Sequence, residues 1–412
     1  MSTSPTAVLR EDTRSPLRQL FTSRSFVALF ITNTLAFGGE QMRFAAQSWW
    51  ILDEGGSKTE MGLAAGLRVV PVVIITLYAG VLIDRVGGKR ILMIVQAFLI
   101  LLAIITGLIL LIDRVQVWHV VVLSTIAGST IALGAPSRQT LVPEVVPKDI
   151  LLQANSMNQL GTAAGRTLGP LAAGALIAIR SAALALFGLA VVYGLALIAT
   201  LNIRAMGQRK SVSDESALSQ IRSGFSYIRS NPVLLWTIVS SISSIFLAMI
   251  YPIIPVYARD VLEVGEVKFG WMWGAVAVGQ ATGAFVIASK GGFPKKSLNL
   301  VAGVGVFGVG LIGFGLSEIY WVSLVFLFVN GLGIPLILTS WMTLLQEHAA
   351  TEYRGRVMAV YSIAIQGTSA GWLLGGYLLD VIGGFPTVLA TVIGSLGIVV
   401  IAIAASKDFR NA

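Results

Sequence analysis

Charged side chains occur inside stretches of the chain that are otherwise apolar. Glu40 and Arg43 lie three residues apart in FGGEQMRFAAQ, and Arg166 lies in GTAAGRTLGPLAAG. Ionisable groups are costly in apolar surroundings, so they are candidates for function. Glu40 could take up and release a proton, or it could form a static ion pair with Arg43, which shares its helical face. Arg166 could bind an anionic group, pair with Glu40, or contact backbone carbonyls.

The composition predicts that membrane helices position these groups. Hydrophobic residues make up 55% of the 412 residues, charged residues 12%, and the mean hydropathy is +0.82. A soluble protein of this size needs a more polar surface. The chain has no cysteine, which excludes thiol catalysis and cysteine metal sites, and we expect neither a metal nor a cofactor.

Runs of about 20 apolar residues, the length that crosses a bilayer, predict twelve spans. In chain order they are 25–51, 60–83, 91–112, 117–137, 157–179, 182–203, 233–257, 269–289, 297–316, 320–345, 356–380 and 386–405. The 44 glycines of the chain favour close packing of such helices. We therefore expect an all-α protein that spans the cell membrane many times.

The basic residues predict the orientation of these spans. With the N-terminus in the cytoplasm, most of the 29 Lys and Arg residues fall on the cytoplasmic side, as the positive-inside rule requires. This distribution accounts for the net charge of +9, so we expect no nucleic-acid partner. Both termini are expected to be cytoplasmic.

The spans divide into two similar halves. We predict a cytoplasmic tail over 1–24, a six-helix bundle over 25–203, a cytoplasmic linker over 204–232, a second bundle over 233–405 and a tail over 406–412. Aligning the halves places three glycines of span 5 on three of span 11, namely Gly161, Gly165 and Gly169 on Gly367, Gly371 and Gly375. Such parallel repeats are typical of transporters.

The loop between spans 2 and 3 reads GVLIDRVGGKR. It resembles the signature of the major facilitator superfamily, whose fold is two pseudo-symmetric six-helix bundles. The resemblance implies a gating latch that stabilises the outward-facing state, formed by Gly80, Asp84, Arg85, Gly88 and Arg90. A carboxylate at Asp84 could sit against the N-terminus of span 11. The alternative is a solvated basic loop without a gating role.

Two further motifs narrow the resemblance. Gly165, Gly169, Pro170 and Gly174 of span 5 match the drug/H⁺ antiporter signature, although small residues at this spacing also suit plain packing against span 8. The stretch PSRQTLVPEVVPKDILLQANSMNQ and the later YRGRVMAVYS resemble the 12-helix secretion-effector branch, which includes macrolide efflux and enterobactin export proteins. In the first stretch, Arg138 and Glu144 would join the gating charges or form a local ion pair.

Polar and aromatic residues within the spans are candidates for a substrate cavity. They are Asn33, Gln41, Asn158, Gln280, Asn330, Gln366 and Trp372. Each could instead make a hydrogen bond between helices. The scarcity of charge favours a hydrophobic or amphipathic small-molecule substrate.

We therefore predict a monomeric secondary active transporter, a proton-coupled exporter of molecules such as drugs that works by alternating access. The alternatives are a major facilitator transporter of a siderophore, lipid or nutrient, a different mode of coupling, or a sensor that does not transport. An enzyme is disfavoured because His119 and His348 lack a partner acid or nucleophile in a recognisable pattern, and no nucleotide-binding loop is present.

Overall fold

The computed structural model describes residues 16–112, 115–147, 150–204, 217–289 and 295–412, and within them every regular element is a helix. The expected all-α class is therefore confirmed. The helices up to the linker are α1 (Pro16–Thr22), α2 (Arg24–Asp53), α3 (Lys58–Gly66), α4 (Val69–Val86), α5 (Gly88–Ile109), α6 (Val117–Val145), α7 (Leu151–Ile179) and α8 (Ala182–Leu201).

The remaining helices begin in the linker. They are α9 (Ala217–Ser230), α10 (Pro232–Ser241), α11 (Ser244–Leu247), α12 (Ile250–Asp260), α13 (Glu266–Ser289), α14 (Lys296–Leu316), α15 (Tyr320–His348), α16 (Thr351–Gln366), α17 (Thr368–Val381), α18 (Gly384–Ala405) and α19 (Lys407–Asn411). In the described part of the chain, ten helical segments are long and apolar enough to cross a membrane. The 30-residue α2, which carries Glu40 and Arg43, and the glycine-rich 24-residue α13 are not among these ten.

Three of the predicted spans are interrupted. Span 2 consists of α3 and α4, span 7 of α10 to α12, and span 11 of α16 and α17. A proline inside a helix clashes with the carbonyl four residues earlier, so Pro71 explains the break at Leu67 and Pro252 explains the break at Ala248. The break in span 11 falls at Gly367.

The long helices run alternately between two ends of the molecule. At one end, which we call the terminal end, α19 packs beside the start of α14, where the Lys296 N–H donates to the Ala412 carbonyl at 3.0 Å. In the other half, the backbone N–H of Arg204 donates to Ser25 Oγ at 3.1 Å. At the far end, which we call the opposite end, Lys58 and Asp260 from the two halves form an ion pair of 3.2 Å.

The two halves meet mainly through α7 against α13 and α3 against α17. Glycine makes these approaches possible. A Cβ on Gly62 would lie 2.8 Å from the Trp372 carbonyl oxygen, and one on Gly270 would lie 3.0 Å from the Pro170 carbonyl oxygen. The contacts lie in the part of the molecule towards the opposite end, so the halves are closely packed there.

Candidate functional site

A cavity of about 430 Å³ lies between α2, α6 and α7. It reaches from residues near the terminal end, such as Leu29 and Val142, to Phe37 and Thr162 near the middle of their helices. Its lining residues are Leu29, Asn33, Phe37, Ala135, Arg138, Gln139, Val142, Asn155, Asn158, Gln159 and Thr162. This volume is within the range of small-molecule sites.

Two of the residues proposed from the sequence for a substrate cavity, Asn33 and Asn158, line it. Asn33 Nδ2 donates to the Asn158 carbonyl oxygen at 3.1 Å and to Thr162 Oγ1 at 3.0 Å, which ties α2 to α7. The side-chain amide atoms of Asn158 are buried and have no hydrogen-bond partner among the described residues. They remain able to bind a polar group that enters the cavity.

Arg138 lies within α6 and lines the cavity, whereas the sequence placed it in the loop after span 4. The difference arises because α6 continues through Pro136 and Pro143 as far as Val145, and prolines are tolerated in tightly packed membrane helices. The Arg138 guanidinium lies 5.1 Å from the centre of the Phe37 ring, and that of Arg166 lies 5.9 Å from the same ring. Two cations therefore contact one aromatic side chain.

Glu40 lies near the middle of α2, about 24 Å from its start and about 20 Å from its end at 1.5 Å per residue. Its carboxylate accepts a hydrogen bond from Arg68, and Arg43 Nη2 lies 3.8 Å from the same oxygen. Both arginine side chains are almost fully buried, while the Glu40 side chain is 30% exposed. Glu40 thus pairs with Arg43 at i+3, but its nearer partner is Arg68 in the break between α3 and α4.

The break in span 2 brings Arg68 to this position. Arg68 lies between α3 and α4, three residues before Pro71. The α6 helix offers Gly128 at the contact, where a Cβ would lie 2.6 Å from the Arg68 carbonyl oxygen. The sequence feature that could have indicated Arg68 as a partner of Glu40 is its position three residues before Pro71. A proline breaks a helix, and a side chain at the break can turn towards the protein interior.

An aromatic cluster fills the space between the halves on the side of Glu40 that faces the opposite end. The ring of Phe44 on α2 lies 5.3 Å from Tyr251, and Tyr251 lies 5.0 Å from Trp273 and 4.9 Å from Trp372. Arg68 also belongs to this region, since its guanidinium lies 5.6 Å from the centre of the Trp372 ring. Glu40 is therefore linked through Arg68 to the surface where the halves meet.

The glycines of the span 5 motif serve two contacts. Gly165 and Gly169 face α2, where a Cβ on either residue would overlap the backbone of Thr34 or Gly38. Gly174 faces Glu266 at the start of α13. One helix thereby packs closely against its own half and against the other half.

A family model of the Major Facilitator Superfamily matches residues 29–370. The chain belongs to this superfamily. It is a transporter rather than an enzyme, and a multi-pass protein of the cell membrane.

Two efflux proteins resemble the chain over most of its length. It is 25% identical to the multidrug efflux pump Tap of Mycolicibacterium fortuitum, with 93% of this chain and 96% of the relative covered. It is 22% identical to macrolide efflux protein A of Streptococcus pyogenes, over 81% of this chain and 84% of the relative. A third match, 23% identical to the staphyloferrin A transporter of Staphylococcus aureus, covers 42% of this chain and 44% of the relative.

Solved structures share the fold. The nucleoside transporter NupG, solved as a mutant, superimposes with a TM-score of 0.77 at 9% identity, over 93% of this chain and all of that one. A bacterial homologue of the human lysosomal transporter Spinster, in an inward-facing and occupied conformation, gives a TM-score of 0.76 at 13% identity, over 96% and 98% of the two chains.

Other residues proposed for a substrate cavity lie apart from the one described. Asn330 is fully buried and donates to the Phe307 carbonyl oxygen at 2.9 Å, which joins α15 to α14. Gln41 packs against Gly169. Gln280 and Gln366 are half-buried on α13 and at the end of α16, and Trp372 belongs to the aromatic cluster.

The superfamily loop motif lies at the terminal end. Arg85 and Arg90 are exposed, and Glu144 lies one residue before the end of α6. The side-chain surroundings of Gly80 and Asp84 lie outside the described part of the structure.

Gly88 and Lys89 of this loop contact neighbouring helices. A Cβ on Gly88 would lie 2.8 Å from Thr140 Oγ1, so the start of α5 packs closely on α6. Lys89 Nζ donates to the carbonyl oxygens of Leu201 and Ile203 at 2.9 and 2.6 Å. The lysine thereby satisfies free carbonyls at the C-terminal end of α8, as cations at helix ends do.

Proposed function

We propose that this transporter is an exporter of amphipathic, drug-like molecules, built from twelve membrane spans with both chain ends in the cytoplasm. The names of the Tap and macrolide efflux relatives support the direction and the cargo. In this arrangement α2 and α13 are membrane spans as well, because they are 30 and 24 residues long and a span needs about 20.

The cavity is the observation that carries the proposal. It lies in the part of the molecule towards the terminal end, whereas the aromatic cluster and the Lys58–Asp260 ion pair join the halves towards the opposite end. With the terminal end in the cytoplasm, this is an inward-facing state that loads its cargo from the cell. Rocking of the two halves would then close the cavity inside and expose it outside.

Glu40 is the proposed proton carrier. Its charge holds Arg68, and Arg68 lies over Trp372 in the other half. Protonation of Glu40 would remove the charge that binds Arg68 and so loosen the contact between the halves. Inward proton flow supplies about 2.3 kcal/mol per charge per 100 mV, and about 1.4 kcal/mol per pH unit.

The loop motif is the proposed gate that closes the terminal end in the outward-facing state. Asp84, Arg85 and Arg90, together with Glu144, lie at or near the helix ends of the terminal end. In the outward-facing state these groups would join the halves at this end, with Asp84 against the N-terminus of α16. At the opposite end, the inward-facing state would be held by the Lys58–Asp260 ion pair and by Asp380, which accepts hydrogen bonds from the backbone N–H groups of Lys58 and Thr59.

Flux in proteoliposomes tests the proposal. An imposed pH gradient should drive a labelled amphipathic drug against its concentration gradient, and the transport of each drug molecule should release protons from the acidic compartment. Glu40→Gln should bind cargo but lose the dependence on the pH gradient. Normal proton-driven flux in that variant would assign the proton to another group, and downhill flux alone would indicate a uniporter.

A reporter inserted after Ser216 and another at the C-terminus test the topology, and an external signal from either would overturn it.

The staphyloferrin A transporter relative favours a second candidate, export of a siderophore. Loading the same proteoliposomes with staphyloferrin A would distinguish the two cargoes.

A further inference from the structure

The middle of this molecule carries more positive than negative charge. Glu40 is the only acid there among the described residues, and four arginines surround it or Phe37, namely Arg43, Arg68, Arg138 and Arg166. The other described acids of the long helices lie at or near the helix ends: Asp53, Glu60, Asp260, Glu266 and Asp380 at the opposite end, and Glu144, Glu347 and Glu352 at the terminal end.

Glu40 neutralises only part of this charge. Its carboxylate pairs with Arg68 and Arg43, while neither Arg138 nor Arg166 forms an ion pair with another described residue. Both of these arginines lie on the Phe37 ring instead. Arg138 is half-buried and Arg166 is exposed, and Glu40 attracts Arg138 only from beyond ion-pair distance. A cation beside a cavity without an acidic side chain within ion-pair distance favours an anionic ligand over a cationic one.

The lining of the cavity favours the same chemistry. Among the described residues that line it, Arg138 is the one that carries a charge. Around it stand groups that can donate hydrogen bonds, the side-chain amides of Asn155, Asn158 and Gln159 among them, and those of Asn158 have no partner among the described residues. Phe37, Leu29 and Val142 supply apolar surface next to these donors.

We propose that the cavity selects amphipathic anions, with Arg138 binding the anionic headgroup and Phe37 contacting the apolar body. The proposal rests on the transport function proposed above and names its substrate class. A guanidinium can donate two parallel hydrogen bonds to a carboxylate, sulfonate or phosphate. Lipophilic cations would face repulsion from two arginines at the same place.

Equilibrium binding to the purified protein tests this with two probes that share one ring system. The probes are naphthalene-2-sulfonate and 2-naphthyltrimethylammonium, and the protein is held in phosphatidylcholine nanodiscs. We expect the sulfonate to bind at least tenfold more tightly than the ammonium. Arg138→Gln should abolish this preference, and Arg138→Lys should restore part of it. Arg180→Gln, the same change at an exposed residue at the end of α7, should leave the preference intact.

Equal binding of both probes, tighter binding of the ammonium, or an unchanged preference in Arg138→Gln would each overturn the assignment. Adding phosphatidylglycerol to the nanodiscs tests whether the anion that occupies the cavity is a solute or a lipid. Loss of sulfonate binding in its presence would make the lipid headgroup the occupant. The measurement needs no ion gradient. A failure of proton-driven export would therefore not affect the proposed preference for anions. Export of cations alone would refute that preference but not the proposed export function.

Discussion

Asp380 of α17 accepts two hydrogen bonds from Thr59 of α3, at 2.7 Å from the backbone nitrogen and 2.6 Å from the hydroxyl. It also accepts one from the Lys58 backbone N–H at 3.3 Å. A carboxylate of one half thus caps the start of a helix in the other half, where the helix dipole favours negative charge. This contact joins the halves at the opposite end. In the proposed transport cycle it would have to break before the cavity opens there.

Cysteines at Thr59 and Asp380 should cross-link under mild oxidation. The chain has no native cysteine, so the pair can be introduced without removing any residue of that type. Mild oxidation should link most of the purified protein and stop transport, because the halves could no longer separate at this end. Dithiothreitol should restore transport, and each single cysteine variant should remain active under oxidation. Full transport in the linked protein would contradict the need for separation here.

Asp380→Asn should weaken the same contact without a cross-link. The amide cannot accept as strongly from the two backbone N–H groups, and we expect a loss of about 1–2 kcal/mol from the inward-facing state. Spin labels on the opposite-end residues Glu54 and Glu263 should report a larger population with separated halves. Asp53→Asn, the same change at an exposed residue of that end, should leave the distances unchanged.

Glu40→Gln should destabilise the folded protein. The change leaves Arg68 and Arg43 buried without a carboxylate, which we expect to cost about 2–3 kcal/mol. Replacing Arg68 by Gln as well should recover part of this loss, since one unpaired charge disappears. Thermal unfolding of the single and double variants in one detergent measures the coupling. Strictly additive losses would mean that the two side chains do not stabilise each other.

Gly169→Ala should disturb the packing of α2 on α7. A Cβ at this position would overlap the Gly38 carbonyl oxygen, and such overpacking costs about 1–3 kcal/mol. The matched control is Gly194→Ala in α8, where the new methyl group would meet nothing within 4 Å. The control should be neutral or slightly stabilising because alanine is the better helix former. Equal melting temperatures for both variants would argue against the close approach.

Asp84→Asn should slow transport by a factor of about ten while folded protein stays in the membrane, if its charge stabilises the outward-facing state against a helix N-terminus. Initial rates of cargo uptake into inverted vesicles, normalised to protein content, measure the effect. Asp53→Asn serves again as the control for the same chemical change. Unchanged kinetics in Asp84→Asn would remove the latch from the mechanism.

Several features of the fold could be predicted because hydropathy reports them directly. The long apolar runs predicted helices that the structure contains, with most ends within a few residues of the predicted ones. The breaks at Leu67 and Ala248 were also readable in principle, since Pro71 and Pro252 lie four residues later. The end of α6 was missed because prolines near a predicted boundary were taken to stop a helix that continues to Val145.

The sequence by itself determined the class of the protein, its helical spans, and which few charges must lie among apolar residues. It also contained the loop motif that indicated the superfamily. Tertiary structure decided which of those charges meet: Arg68 approaches Glu40, Arg138 faces the cavity, and Asn330 lies between two helices away from it. Hydropathy measures how apolar a segment is, but a side chain's partner depends on the rotation of its helix and on how closely glycines such as Gly128 let a neighbour approach.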